Sequence, residues 1–254
     1  VPEAPYTFSP DANFPCINIE KGSIKGWYPA SYPEMTALPR ILSAKGGTKI
    51  NVVPNKAEAV VEGLSQAEIR AVADEVTKDT GITFTLSGEN PVTISVTGKD
   101  GHAAMPEHAN NAITGMLALL TALPLADCEG VQKLRAFQKL YPHGDWLGLA
   151  AGIAMEDKES GAMTSCLDLF SMDTAGFEGQ TDCRCPICAT DENVTAVLKA
   201  GAEAAGLTLD ESCKLAPPHY VPAGSPFIRT LLAAYEKYTG EKGEPLAIGG
   251  GTYT

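Results

Sequence analysis

Residues 65–97 hold the pattern that most restricts the fold. Ser65-Gln66-Ala67-Glu68 has the spacing of a capping box, in which serine and glutamate each satisfy the other's free backbone N–H. Ile69, Val72, Ala73 and Val76 follow at helical spacing until Gly81 stops the run, which predicts an amphipathic helix. Directly behind it, Ile82–Leu86 and Val92–Val96 alternate apolar and polar residues around Gly88-Glu89-Asn90-Pro91, the signature of a β-hairpin. A capped helix feeding straight into a hairpin favours an α+β sandwich, with helices on one face of a largely antiparallel sheet.

The same order recurs along the chain. Pro106 and Glu107 suit a first helical turn, with Ile113, Met116, Leu117 and Leu120 behind them. Leu167–Met172 and Thr181–Cys185 read as strands, 191–205 as a helix and 207–214 as a further strand. Ser225-Pro226 opens a helix carrying Ile228, Leu231, Leu232 and Tyr235. Residues 124–162 hold Pro142, Gly144, Gly148, Gly152 and Gly161 among short helical patches and read as a long connector. Phe14–Glu20 has the look of one buried strand in a Pro-rich opening segment.

Charge narrows the partners. Nineteen Lys and Arg against 31 Asp and Glu give a net charge of −12 over 254 residues, a field that repels phosphate backbones. Nucleic acid and anionic membrane are therefore poor partners, and no apolar run approaches the roughly 18 residues of a membrane helix. Seven cysteines, odd in number and mostly scattered, argue for reduced thiols in a cytoplasm. The chain starts at Val1 and stops shortly after a triple glycine, as a piece of something longer would.

Some residues are candidates for chemistry. His102 lies in Gly98-Lys99-Asp100-Gly101-His102-Ala103-Ala104-Met105-Pro106, between a strand and a helix. Such a turn presents an imidazole able to donate to a developing oxyanion, or one that satisfies the turn's own backbone. Asp11, between Pro10 and Pro15, suits a carboxylate metal ligand or a turn cap. Cys183, Cys185 and Cys188 have spacing suggestive of zinc, but no second pair lies nearby and buried free thiols are the default. On a strand, Arg184 faces away from Cys183 and Cys185, a placement that suits carboxylate capture or a structural ion pair. Gly249-Gly250-Gly251-Thr252 would let backbone amides approach an anion, as would a flexible linker. His108, His143 and His219 have no ligand-pair spacing and read as surface or packing residues.

Taken in order, several motifs resemble the PepV-like dipeptidase branch of the di-zinc aminoacylase and carboxypeptidase family. They are Phe8-Ser9-Pro10-Asp11-Ala12-Asn13-Phe14-Pro15 with Asn18-Ile19-Glu20-Lys21-Gly22, Asn51-Val52-Val53-Pro54, the His102 turn, Asp182-Cys183-Arg184-Cys185-Pro186, and Ile248-Gly249-Gly250-Gly251-Thr252-Tyr253. The resemblance implies a lid domain at 23–244, built from two ferredoxin-like halves (about 23–123 and 163–244) that mimic a dimer around the connector 124–162. Residues 1–22 and 245–254 would be stubs of an α/β catalytic domain. It implies a zinc-dependent dipeptidase acting on small dipeptides, monomeric and cytoplasmic, with a pair of zinc ions for which manganese or cobalt can substitute. Asp11 then matches a zinc ligand, and His102 the lid histidine that polarises the scissile carbonyl. Asn51 and Arg184 match lid residues that hold substrate, and Gly249–Thr252 the backbone cradle at its C-terminal end. The ligand-bearing histidines and the paired glutamates of the family have no counterpart here, so this region alone is expected to be inactive. An N-acyl-amino-acid deacylase of the same family and a non-catalytic dimerisation or binding module are the competing readings.

Overall fold

A computed structural model describes residues 6–9 and 13–249. Strand β1 (Cys16–Glu20) is followed by β2 (Gly22–Ser31), β3 (Arg40–Gly46), the short β4 (Val52–Val53) and β5 (Lys56–Glu62). Helix α1 (Gln66–Thr80) leads into β6 (Thr83–Ser87), β7 (Val92–Thr97) and the short β8 (Gly101–His102). Helices α2 (Ala112–Ala122) and α3 (Glu129–Leu140) come next, then a small pair, β9 (Glu156–Asp157) and β10 (Gly161–Ala162). The long hairpin β11 (Thr164–Met172) and β12 (Gly176–Cys185) precedes α4 (Ala196–Ala204), β13 (His219–Tyr220), α5 (Pro226–Thr239) and β14 (Pro245–Ile248).

The architecture is mixed α+β, dominated by a seven-stranded sheet of order β2-β12-β11-β3-β5-β7-β6 in which every neighbouring pair is antiparallel. The capping box forms at the start of α1, and Gly81 ends the helix in the left-handed conformation. Helix α2 packs across β3, β5, β7 and β11, flanked by α1 and α3. Ile113, Met116, Leu117 and Leu120 of α2 are fully buried in one core that also contains Leu134, Phe137, Phe170 and Phe177.

Four local expectations are revised. Pro106–His108 makes only a single 3-10 turn, and α2 starts after Asn111. The Asn111 Oδ1 accepts the Ile113 and Thr114 N–H groups at 2.9 and 3.2 Å, a cap that Met105 cannot supply. Residues 191–195 form a π turn, so the regular helix begins at Ala196. The stretch 207–214 forms no regular strand. It lies beside β2, where the Asp210 N–H donates to the Trp27 carbonyl but the Trp27 N–H turns to Cys213 Sγ at 3.2 Å. A thiol thus takes the donor that a ladder would need. Finally, the connector contains α3, whose Val131, Leu134 and Phe137 recur at helical spacing and are buried.

Chain order and spatial order also differ. Strand β2 opens the segment 23–123 but pairs along its whole length with β12, and β3 pairs with β11, so the two groups of strands interleave into one sheet. Strand β1 pairs in parallel with β14 and antiparallel with β13 in a separate three-stranded sheet, on which α5 packs. The opening and closing segments therefore meet. His219 onward runs with them, although the sequence order groups α5 with the second half.

Phe137 sits at the centre of this packing. Its ring lies 5.3 Å from Phe177, 6.0 Å from Phe170 and 5.6 Å from Tyr28, and it touches Gly179, where a side chain would collide with it. Phe137→Ala is expected to lower unfolding free energy by about 3–5 kcal/mol in urea titration. A loss below about 1 kcal/mol would mean α3 is not part of the core.

Candidate functional site

Helices cover the face of β11 and β12 that carries Phe170, Phe177, Cys183 and Cys185. Side chains alternate along a strand, so Asp182 and Arg184 point to the opposite face. The short pair β4–β8 lies over that face. Val52 pairs with His102, the Asn51 carbonyl accepts the Ala103 N–H at 3.1 Å, and Thr164 Oγ1 donates to the Ala103 carbonyl at 3.3 Å. Thr164 is the register partner of Arg184. The His102 turn is thereby pinned to the end of β11 that pairs with the Arg184 end of β12.

His102 itself is exposed. Its Nδ1 accepts the Ala104 N–H at 3.0 Å, an arrangement that requires Nδ1 to be unprotonated and leaves the proton of the neutral ring on Nε2. The imidazole thus presents an N–H donor to solvent beside the Arg184 strand end.

Arg184 is almost buried, with its side chain 11% exposed, and it pairs with the fully buried Asp182 at 2.7 Å. Its Nη1 donates to the Gly249 carbonyl at 3.1 Å. A Cβ at Gly249 would stand 3.2 Å from that of Ala104, so Gly249 passes close against the His102 turn and a side chain there would crowd it. Asn51, His102, Arg184 and Gly249, the outermost separated by 198 positions, converge at the open end of the β11–β12 hairpin. Asp11, Gly250, Gly251 and Thr252 lie outside the described residues.

Two residues of this cluster have no role assigned from sequence. Asp182 stands two positions before Arg184, which puts both on one face of the strand, and that spacing is the signal that could have found it. Asp168 interrupts the apolar run Cys166-Leu167-Asp168-Leu169-Phe170, a place where a charge must be buried. It is fully buried, and its Oδ2 accepts the Asn51 N–H at 2.6 Å. Burial pushes its carboxyl up to about 7, aided by nearby Asp182 and opposed by Cys166, the Asn51 N–H and Arg184.

This shift gives stability a definite pH slope. An unfolded aspartate titrates near about 3.9, so the folded state holds the Asp168 proton more tightly. That contribution is complete below about pH 4 and lost as pH rises through about 7, at most about 4 kcal/mol in all. Urea titrations of wild type at about pH 5 and about pH 8 should show the loss, and Asp168→Asn should flatten it. An unchanged slope in the variant would exonerate Asp168.

The other candidates sit elsewhere. His143 is half-buried, its Nδ1 2.9 Å from Thr114 Oγ1, and burial lowers its pKa, as expected of a packing residue. His108 and His219 are exposed. Cys183 and Cys185 are buried free thiols with pKa values pushed upward by burial, to about 12 for Cys183, whereas Cys188 is exposed. Among the described residues no group of three or more His, Cys, Asp or Glu is placed to hold a metal ion. The zinc pair implied by the resemblance does not fit within them. No described helix is long and apolar enough to cross a membrane.

Comparison with known proteins places this geometry in context. The sequence model of a family described as peptidase dimerisation domain matches residues 86–144. YtjP of Bacillus subtilis, named as a candidate dipeptidase, is 30% identical over 97% of this chain and 53% of its own length. The Beta-Ala-Xaa dipeptidase of Lactobacillus delbrueckii subsp. lactis is 27% identical over 99% of this chain and 53% of its own. The chain thus spans about half the length of the curated relatives it matches. Among solved structures, the aminoacylhistidine dipeptidase from Vibrio alginolyticus covers 93% of this chain and 52% of its own, at 14% identity and a TM-score of 0.46.

Proposed function

From the premise that this chain resembles the PepV-like dipeptidase branch of the di-zinc aminoacylase and carboxypeptidase family, we propose that it is the substrate-gripping region of a metal-dependent dipeptidase. The observation that carries this reading is the convergence of the exposed His102 donor, the Arg184 guanidinium and the Gly249 backbone at one end of the β11–β12 hairpin. That place supplies what one end of a dipeptide requires: a cation for the C-terminal carboxylate, and an N–H donor for the carbonyl about to become tetrahedral.

In this reading His102 Nε2–H donates to the scissile carbonyl oxygen, and its hydrogen bond strengthens as negative charge develops there. Asp182 and the Gly249 carbonyl orient the guanidinium of Arg184, which meets the substrate carboxylate with its remaining N–H groups. Asn51 and Gly249 bound the same space. Asp11 is assigned to a zinc-ligand role from the resemblance alone. Metal and general base belong to residues outside this set, and the described region by itself hydrolyses no peptide.

The sheet pattern supports a pseudo-dimeric lid. Three antiparallel strands lie on one side of the β11–β3 seam and four on the other; in this reading they belong to two ferredoxin-like halves, and the terminal sheet β13-β1-β14 with α5 is the stub of an α/β catalytic domain. We therefore assign a monomer, because the seam that would join two copies is already closed within one chain. Seven free cysteines support a cytoplasmic setting.

The full-length protein, supplied with zinc or manganese, is expected to cleave free dipeptides in preference to N-acyl amino acids. Complete inactivity on both substrate sets would reject the reading, and a preference for acylated amino acids would favour the deacylase. Light scattering should return the monomer mass; a dimer mass would favour the association role named by the family that matches residues 86–144.

A further inference from the structure

Strand β11 does not run regularly beside β12. Cys166 and Leu167 pair with Asp182 and Thr181, but the register then shifts so that Leu169 pairs with Gln180, leaving Asp168 as the extra residue. A bulge of this kind re-aims one side chain away from the ladder. The displaced carboxylate reaches the backbone of the loop between β3 and β4, which passes against it: Gly47, at φ +83, comes so close to the Asp168 carbonyl that no side chain could stand there. The acceptor is taken up by Asn51, the only non-glycine residue of the described set with positive φ, at 79. Asp168 Oδ1, by contrast, is buried with no N–H or O–H donor on it, and the Cys166 thiol is the weak donor beside the carboxylate.

Asn51 has two backbone bonds with different destinations. Its N–H goes down to Asp168 at 2.6 Å, and its carbonyl accepts the N–H of Ala103, next to His102, at 3.1 Å. A left-handed asparagine costs conformational energy, so it persists only while its surroundings hold it. We propose that Asp168 is a positioning residue, whose bulged carboxylate fixes the Asn51 turn and, through the Asn51 carbonyl, the placement of the His102 loop.

The titratable groups around Asp168 come from two strands: the Cys166 thiol from its own, and Asp182, the Cys183 thiol and Arg184 from β12, of which only Asp182 and Arg184 carry charge; the loop above contributes the Asn51 N–H. A carboxylate accepts an N–H roughly twice as strongly as a neutral acid does. The anchor is therefore firmest once the Asp168 proton has left and slackens as pH falls through about 7.

The consequence for catalysis rests on the proposed dipeptidase reading, but the anchor itself does not. In the unmodified full-length protein, the amide signals of Asn51 and Ala103 should shift with pH at the same midpoint as the Asp168 carboxyl carbon. Asp168→Asn should speed hydrogen exchange at these two amides while leaving α1 protected. It should also lower kcat by about 10- to 100-fold with KM little changed, and remove the acidic limb of the pH profile, since a small misplacement of a reacting group is enough. Amide signals that stay flat while Asp168 titrates would overturn the proposal, as would exchange that rises equally throughout the sheet. Should Asp168→Asn fail to fold, the titration of the unmodified protein decides alone. Absence of dipeptide cleavage by the wild type would reject the dipeptidase reading and leave the amide measurements to decide the anchor.

Discussion

Arg184→Ala is expected to cost about 3–5 kcal/mol of folding stability, among the largest effects of any single substitution in this chain. The reason is Asp182. Its side chain is fully buried, its Oδ1 already lacks a partner, and its Oδ2 relies on Arg184 Nη2 at 2.7 Å. Removing the guanidinium leaves a carboxylate in the sheet interior with nothing to offset its lost hydration. The Gly249 carbonyl loses its donor as well, and the closing segment loses a tie to β12. Urea titration measures the loss, and the double variant Asp182→Leu/Arg184→Met should recover most of it, because two apolar side chains bury no charge. If Arg184→Ala were as stable as wild type, the ion pair would be solvated in solution. Arg184→Lys separates the roles: a point charge can still neutralise Asp182, but it cannot also serve Gly249 and a planar carboxylate, so KM should rise while the fold holds.

His102→Ala should behave in the opposite way. The ring is exposed and its one described hydrogen bond is the Ala104 N–H to Nδ1, so stability should be close to that of wild type. In the full-length enzyme kcat should fall roughly 10²- to 10³-fold, the loss expected for one oxyanion donor. KM should change little, because the interaction forms mainly as charge develops. A kcat that survives the substitution removes His102 from the chemistry and leaves it as a turn residue.

Much of the local structure was legible from residue pattern. Ser65 and Glu68 are neighbours in sequence and their mutual hydrogen bonds need nothing distant, so the start of α1 follows from the spacing alone. The hairpin β6–β7 is readable for the same reason. Helix α3 was obscured by the glycines and proline that follow it, although Val131, Leu134 and Phe137 carried the period. The start of α2 is hidden in the sequence because Pro106 is a strong local signal, whereas Asn111 acts through a cap that forms only once the chain has turned.

The candidate site divides in the same way. His102, Arg184, Asn51 and Gly249 stood out through ordered motifs; Asp182 stands in the Arg184 motif with no role of its own, and Asp168 lies outside every motif, its meaning set only by what packs against it. The alternation of β12 was enough to turn Arg184 away from Cys183 and Cys185. It did not reveal that Gly249, 65 positions later, would supply the carbonyl above it, or that the bulge at Asp168 would reach Asn51 across 117 positions. Capping, periodicity and strand facing depend on neighbours a few residues apart and are written in the chain. Register, bulges and the parallel pairing of β1 with β14 depend on which distant segments bury one another, and only the packed sheet decides that.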